Sequence, residues 1–199
     1  VAYSTLNAGD DGARAVVEAD PEFAEARLQT LYLAVFANSN RPADANELLH
    51  QAQLRRARLT ERGRALLDAI EPALLDPPRH DETLSRLTAL TVRWPRDAQL
   101  WNAIALTHTK AQRTRDAADA FRHEWEADPG SLAGIATEIA AEQERGNERE
   151  VERLLSRCLS VNAAHTGCLL RAGDLAAING DCERLDELGR TLATATPGW

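Results

Sequence analysis

The 199 residues include 23 Lys and Arg against 31 Asp and Glu, a formal net charge of −8, and 44% are hydrophobic. This hydrophobic fraction argues against disorder, and the negative charge disfavours a nucleic-acid partner, whose phosphates it would repel. No stretch reaches the roughly 18 apolar residues of a membrane span, so we expect no membrane insertion. The chain starts at Val1 and contains no Met, which we interpret as a fragment of a larger protein.

The N-terminal half, residues 1–97, predicts helices in loosely spaced pairs. Residues 10–19 are typical of the second helix of a pair whose first helix is cut short. A helix near 22–38 and its partner near 42–56 follow, joined by an extended turn over 38–42 that contains Asn, Ser and Pro. Such residues favour turns, because they restrict the backbone or hydrogen-bond to it locally.

A third helix is predicted to begin after Thr60, whose hydroxyl can cap a helix N-terminus. Pro72 should kink or end this helix, because proline lacks the amide hydrogen that a helix interior needs. Its partner spans about 80–93. The degenerate spacing of these pairs separates this half from the rest of the chain.

A period of 34 residues runs through the C-terminal half. Pro129 follows Pro95 by 34 residues, Pro197 follows by twice that distance, and Gly146 and Gly180 are also 34 apart. Thirty-four residues accommodate two short helices and two turns. The period predicts three regular repeats, at residues 98–131, 132–165 and 166–199.

Apolar residues recur at helical spacing inside these repeats. We expect five large side chains to be buried between helices: Trp101, Ile104, Phe121, Leu155 and Leu169. Each glycine of the repeated pair is placed at the turn between two helices, where it can take positive φ and close the first helix.

The pattern resembles the tetratricopeptide repeat. Trp101, Ala117, Phe121 and Pro129 stand where that family favours Trp, Ala, an aromatic residue and Pro, whereas Glu124 and Glu138 replace a small residue and Leu. The resemblance implies an all-α fold, a right-handed α-α superhelix of about ten or eleven helices forming a single solenoid over residues 1–199.

Three segments are similar in wording to the tetratricopeptide regions of bacterial membrane-bound serine/threonine kinases and transcriptional regulators: residues 19–26, 59–67 and 94–98. This similarity implies a non-catalytic interaction or sensory array of a signalling protein. No glycine-rich loop, His-Arg-Asp or Asp-Phe-Gly motif of a kinase is present.

In this family the first helices line the concave face, which would receive a partner peptide or protein. The residues that the repeat places there are Asn102, Leu106, Thr109, Lys110, Ala136, Ala140, Gln143, Leu170, Arg171 and Asp174. They do not match the Asn and Lys pattern that clamps a peptide carboxylate. The alternatives are a small-ligand sensor with a pocket between repeats and an enzyme built on Glu138 and Glu142. We expect no cofactor and no metal.

Two further clusters have more than one interpretation. His80, Asp81 and Glu82 could ligate a metal, but carboxylates are also favoured in the first turn of a helix by its dipole. Arginines 55, 56, 58, 62 and 64 could receive an acidic peptide, but they also fit the exposed ends of two helices.

The three cysteines, Cys158, Cys168 and Cys182, lie in the last quarter of the chain, and no two form a Cys-x-x-Cys pair. Cys158 and Cys168 are about equally far from a turn near Ala163, so they can face each other across a helical hairpin at disulfide distance. They could equally be two buried thiols. A disulfide would imply an extracytoplasmic location, and reduced thiols a cytoplasmic one. Cys182 should be free.

Overall fold

The computed structural model describes residues 10–36, 44–132 and 134–195 and contains eleven α-helices and no strand within them. The predicted all-α class is confirmed. The helices are α1 (Asp10–Ala19), α2 (Ala24–Phe36), α3 (Ala45–Leu54), α4 (Glu61–Ile70), α5 (His80–Arg93), α6 (Ala98–Lys110), α7 (Thr114–Ala127), α8 (Ile135–Glu144), α9 (Glu148–Val161), α10 (Thr166–Ile178) and α11 (Cys182–Ala195).

The helix boundaries follow the local sequence signals. The Thr60 side chain accepts a hydrogen bond from the Gly63 amide at 3.0 Å and caps α4 as predicted. Pro72 lies in a short 3₁₀ turn, Glu71–Leu74, that ends the third helix instead of continuing it. The predicted turn over 38–42 lies outside the described residues.

Gly146 and Gly180 both have φ +70°, in the turns that follow α8 and α10. In this left-handed region a side chain would be strained, so glycine is favoured. Their identical conformation 34 residues apart agrees with the predicted repeat of the hairpins α8–α9 and α10–α11.

The chain divides into two compact units, residues 1–112 and 113–199. The boundary falls in the turn between α6 and α7, inside the predicted repeat 98–131. The first unit therefore holds α1 to α6 and the second holds α7 to α11. A superhelical course over the whole chain remains a prediction.

The first unit is closed around a leucine-rich core, and α2 contacts both α4 and α6. The Tyr32 hydroxyl donates to Asn102 Oδ1 at 2.6 Å, and Gln99 Nε2 donates to Gln29 Oε1 at 2.7 Å. These bonds join helices that are not consecutive in the chain. The side chains of this core with the least exposure are Leu31, Leu66, Leu67, Ile70, Leu87 and Leu100.

The core of the second unit lies between α8, α9 and α10. It comprises Ile135, Ile139, Val151, Leu154, Leu155, Cys158 and Cys168. A smaller cluster of Leu169, Ala176 and Leu188 joins α10 to α11. Its members alternate with exposed residues at helical spacing, so each helix buries one face.

Four of the five side chains predicted to be interior are buried: Ile104, Phe121, Leu155 and Leu169. Trp101 is only half-buried, which corrects the prediction. Its indole N–H donates to the Pro95 carbonyl oxygen at 3.0 Å, and this bond holds the ring against the turn before α6. The polar edge of an indole commonly finds such a partner near the surface.

Within the described part of the chain, every helix is too short or too polar to traverse a lipid bilayer. This agrees with the expectation from the sequence that the chain inserts no helix into a membrane.

Candidate functional site

An open groove of about 520 Å³ runs between α9 and α10 in the second unit. We call it the α9–α10 groove. Its apolar lining consists of Leu155, Leu159, Ala172, Leu175 and Ala176. Leu159 and Leu175 are half-buried, so apolar surface is accessible at the bottom of the groove.

Polar residues form the rim of the α9–α10 groove. One edge carries Glu152, Ser156 and Ser160 on α9, and the other carries Asn179, Asp181 and Arg184 around the turn into α11. An apolar floor with a few polar groups at its margin is the usual composition of a binding surface. The rim offers both charges, together with neutral hydrogen-bonding groups.

The two walls of this groove are joined covalently. A disulfide links Cys158 on α9 to Cys168 on α10, with Cα atoms 6.4 Å apart. This separation lies within the range that unstrained disulfides occupy. Both cysteines have 0% exposure, whereas Cys182 is exposed and free. The crosslink fixes the spacing of the helices that carry Leu159 and Leu175.

His165 lies beside this disulfide, in the turn between α9 and α10. Its Nδ1 accepts a hydrogen bond from the Cys168 amide at 3.2 Å, so the imidazole caps the N-terminus of α10. Ligand atoms of Cys158, His165 and Cys168 all lie within 4.8 Å of one another. Two sulfurs and an imidazole nitrogen form a donor set that suits a soft or borderline metal ion. The sequence prediction of no metal overlooked this cluster.

A buried ionic network joins α7 to α8. Glu138 has 0% exposure and accepts from Arg122 Nε at 3.0 Å and from the Trp125 indole at 2.7 Å. Glu142 accepts from Arg122, from Arg145 and, at 3.0 Å, from Asn147 Nδ2. Each carboxylate oxygen of both residues therefore has a donor.

Arg122 is held in its charged form by this network. Desolvation by burial lowers its pKa, but the hydrogen bond and charge of Glu138 outweigh that effect, and the pKa is raised above its ordinary value. Charged arginine compensates the two buried carboxylates, as such groups require. The network thus resembles a structural crosslink more than an acid–base pair, which needs one carboxyl free to exchange protons.

Trp125 extends the network toward α9. The Arg157 guanidinium lies over the indole ring, 3.8 Å from its centroid, and Arg153 lies at 5.6 Å. Both separations are within the range of cation–π attraction. The indole therefore contacts positive charge at its face and a carboxylate at its N–H edge.

The predicted concave-face residues of α6 are partly used for packing. Asn102 accepts the Tyr32 hydroxyl within the first unit, and Thr109 donates to the Ala105 carbonyl of its own helix at 3.0 Å. Leu106 and Lys110 are half-buried. Burial lowers the pKa of Lys110.

In the second unit the predicted residues lie on α8 and α10. Ala140 and Gln143 are half-buried, Leu170 is 52% exposed, and Arg171 pairs with Asp174 at 3.5 Å. The side chain of Ala136 lies outside the described residues. None of these residues lines the α9–α10 groove.

The arginine cluster is neutralised by carboxylates. Arg55 and Arg58 both pair with Glu22, at 2.7 and 2.6 Å, and the hydrogen bond from Arg55 lowers the pKa of Glu22. Arg56 pairs with Asp68, Arg62 pairs with Asp97, and Arg64 donates to the Leu59 carbonyl. These contacts favour helix-end packing over recognition of an acidic peptide.

His80 begins α5, with Asp81 and Glu82 in its first turn. Glu82 pairs with Arg79 at 3.3 Å and with Arg86 at 2.6 Å. The first-turn interpretation therefore accounts for these carboxylates.

Sequence reasoning did not identify the α9–α10 groove. Leu159 and Leu175 look like ordinary core positions in the helical period, and their partial exposure depends on how α9, α10 and α11 pack. The ionic network had a visible signal, since Glu138 occupied an interior register. Its partners Arg122 and Trp125 were not predictable, because they come from the preceding helix.

No protein-family model matches this chain, and no curated protein sequence matches it.

Proposed function

We propose that the chain is a non-catalytic interaction array built from tetratricopeptide-like hairpins, part of a bacterial signalling protein, and that it binds a partner peptide or protein. The observation that carries the proposal is the α9–α10 groove, with its apolar floor and mixed polar rim. A peptide could place apolar side chains on Leu159 and Leu175 and direct its polar groups to the rim. Recognition of this kind needs no covalent chemistry.

The carboxylates that an enzyme would need have other roles. Glu138 and Glu142 are saturated with hydrogen bonds from arginine, indole and amide donors. A general base must instead be open to substrate and able to take a proton. This arrangement favours binding over catalysis.

The dimensions of the cavities favour a peptide over a small ligand. In the first unit a cavity of about 170 Å³ lies among Val17, Glu18, Arg27, Thr30, Leu48 and Gln51. This volume is below the roughly 300–1,000 Å³ of ordinary small-molecule sites. The α9–α10 groove is larger but open to solvent, as suits an elongated ligand. Tight binding of a small molecule in the first-unit cavity would favour the alternative, a ligand sensor.

The proposal can be tested with a phage-displayed library of random peptides selected on the purified chain. Leu175→Glu places a charge in the groove, and Ile178→Glu makes the same change on the same helix at a site that is 78% exposed. We expect selected peptides to lose binding to the first variant and to keep it with the second. Circular dichroism checks that both variants are folded.

A second variant guards against a folding defect. Ser156 is exposed at the rim, so Ser156→Trp should obstruct the groove without disturbing the core. Peptides that bind both groove variants like the unmodified chain would refute the α9–α10 site. Peptides sensitive to Arg171→Glu instead would place recognition on the predicted face of the first helices.

A further inference from the structure

We propose that the reduced chain binds one zinc ion between α9 and α10, with Cys158, His165 and Cys168 as its protein ligands. The two helices would then be crosslinked by a disulfide under oxidising conditions and by a metal under reducing conditions. This inference does not depend on the proposed partner binding.

The spacing of the donor atoms suits this site. All three ligand atoms lie within 4.8 Å of one another. Tetrahedral zinc with Zn–S near 2.3 Å and Zn–N near 2.0–2.1 Å places its ligands roughly 3.5–3.8 Å apart. Side-chain rotations that move the sulfurs and the imidazole by about 1 Å would bring them to this geometry. The backbone already holds α9 and α10 at the necessary distance, because the disulfide spans the same two positions.

The protonation state of His165 is suitable for a ligand. Its Nδ1 accepts the Cys168 amide hydrogen, so that nitrogen carries a lone pair and no proton. The lone pair points toward the start of α10, where Cys168 lies. Zinc at Nδ1 would replace the amide as its partner, and the amide could then donate to a thiolate sulfur.

The surroundings of the two cysteines also favour metal thiolates. Cys168 is in the first turn of α10, where the helix dipole stabilises negative charge and lowers a thiol pKa. Both sulfurs lie against Ile135, Ile139 and Leu154, which exclude water. His165 is only half-buried, so the imidazole side offers an entry path and room for water as the fourth ligand.

The reaction balances as follows. A dithiol reductant supplies two electrons and two protons to the Cys158–Cys168 bond, giving two thiols while the reductant becomes a disulfide. Zinc binding then releases both thiol protons to solvent, because the ligands are thiolates. The oxidised chain has no thiolate pair at this site.

The test uses chain that is fully reduced under denaturing conditions, refolded without oxygen and titrated with zinc against a chromophoric chelator. We expect one zinc per chain, and no binding by the oxidised chain. Cys158→Ser and Cys168→Ser should each weaken binding by about 100-fold or more, since even loss of an outer-shell partner costs about 10–100-fold. Cys182→Ser, the matched control, should leave the affinity unchanged.

His165→Asn separates ligation from helix capping. Asn is among the best N-cap residues, so this variant can keep the bond to the Cys168 amide while removing the imidazole. We expect it to fold like the unmodified chain and to bind zinc at least tenfold more weakly. Substitution with cobalt should give thiolate charge-transfer absorption in the unmodified chain and in Cys182→Ser.

Three results would overturn the proposal. The first is zinc affinity in the reduced chain no higher than in Cys158→Ser. The second is an affinity that depends on Cys182, and the third is unchanged affinity in His165→Asn.

Discussion

Phe121 on α7 lies directly over Gly134, the residue before α8. A Cβ atom added at Gly134 would lie 1.8 Å from the Cγ and Cδ1 atoms of the Phe121 ring and 2.5 Å from its Cβ. Phe121 itself is 3% exposed, so its ring has little room to move. The absence of a side chain at Gly134 therefore lets α7 and α8 approach closely.

Gly134→Ala should consequently destabilise the second unit. The added methyl group overlaps the aromatic ring, and relieving the overlap requires a shift of Phe121 or of the backbone. Overpacking of this kind typically costs about 1–3 kcal/mol, and occasionally more. Urea unfolding followed by circular dichroism would measure the loss in free energy of unfolding.

Gly189→Ala is the matched control and should have the opposite sign. Gly189 lies inside α11, is exposed, and an added Cβ would meet no atom within 4 Å. Replacing a helix-interior glycine by alanine stabilises by about 0.5–1 kcal/mol. Equal effects of the two substitutions would contradict the close contact between Phe121 and Gly134.

Glu138→Gln should destabilise the chain by about 1–3 kcal/mol, because Arg122 loses its buried charged partner and one amide group must be accommodated among N–H donors. Asp119→Asn provides the control. Asp119 also pairs with Arg122, at 3.4 Å, but is 55% exposed, so its loss should cost no more than about 0.5 kcal/mol. Chemical unfolding of both variants distinguishes a buried network from a surface one.

The disulfide predicts a thiol count. Under denaturing, non-reducing conditions we expect one reactive thiol, Cys182, and three after reduction. Three thiols before reduction, in chain purified without reductant from an oxidising compartment, would contradict the bond.

Loss of this disulfide should also lower stability. Replacing Cys158 and Cys168 together by Ala removes a crosslink with a sequence separation of 10. The chain-entropy model assigns about 2–3 kcal/mol to a loop of this size. The same substitution at Cys182 should change the free energy of unfolding far less, because Cys182 is exposed and free.

Glu150 should contribute to acid sensitivity. Its carboxylate accepts hydrogen bonds from Arg153, and these, with the charge of Arg153, outweigh burial and keep its pKa below the ordinary 4.5. A carboxyl whose folded pKa is lowered stabilises the fold above its unfolded pKa, and this stabilisation is lost as pH falls through the folded value. Solvent and salt screen the pair, so the contribution at neutral pH is no more than about 0.5 kcal/mol.

The measurement for Glu150 is the free energy of unfolding at neutral pH and at a pH below 4.5. Glu150→Gln should be less stable than the unmodified chain at neutral pH and equal to it in acid. Glu148→Gln removes a charge from the same first turn of α9 and controls for the helix dipole. A difference for Glu150→Gln that persists unchanged in acid would contradict the assignment.

The sequence by itself determined the helices and their turns. Thr60, Pro72, Gly146 and Gly180 act through local backbone geometry, which each residue type restricts wherever it occurs. Burial of Ile104, Phe121 and Leu155 was also predictable, because helical spacing defines the buried face. Trp101 departed from that rule, since its indole N–H found a carbonyl partner near the surface.

The tertiary structure alone decided which residues from different helices meet. The contact of Tyr32 with Asn102, the network of Glu138 with Arg122 and Trp125, and the exposure of Leu159 and Leu175 all depend on the distances between helix axes. A helical period fixes which face of a helix is apolar, but many packings satisfy it equally well. The α9–α10 groove and the cluster at His165 arise from one of those packings, which is why the candidate sites could not be read from the sequence.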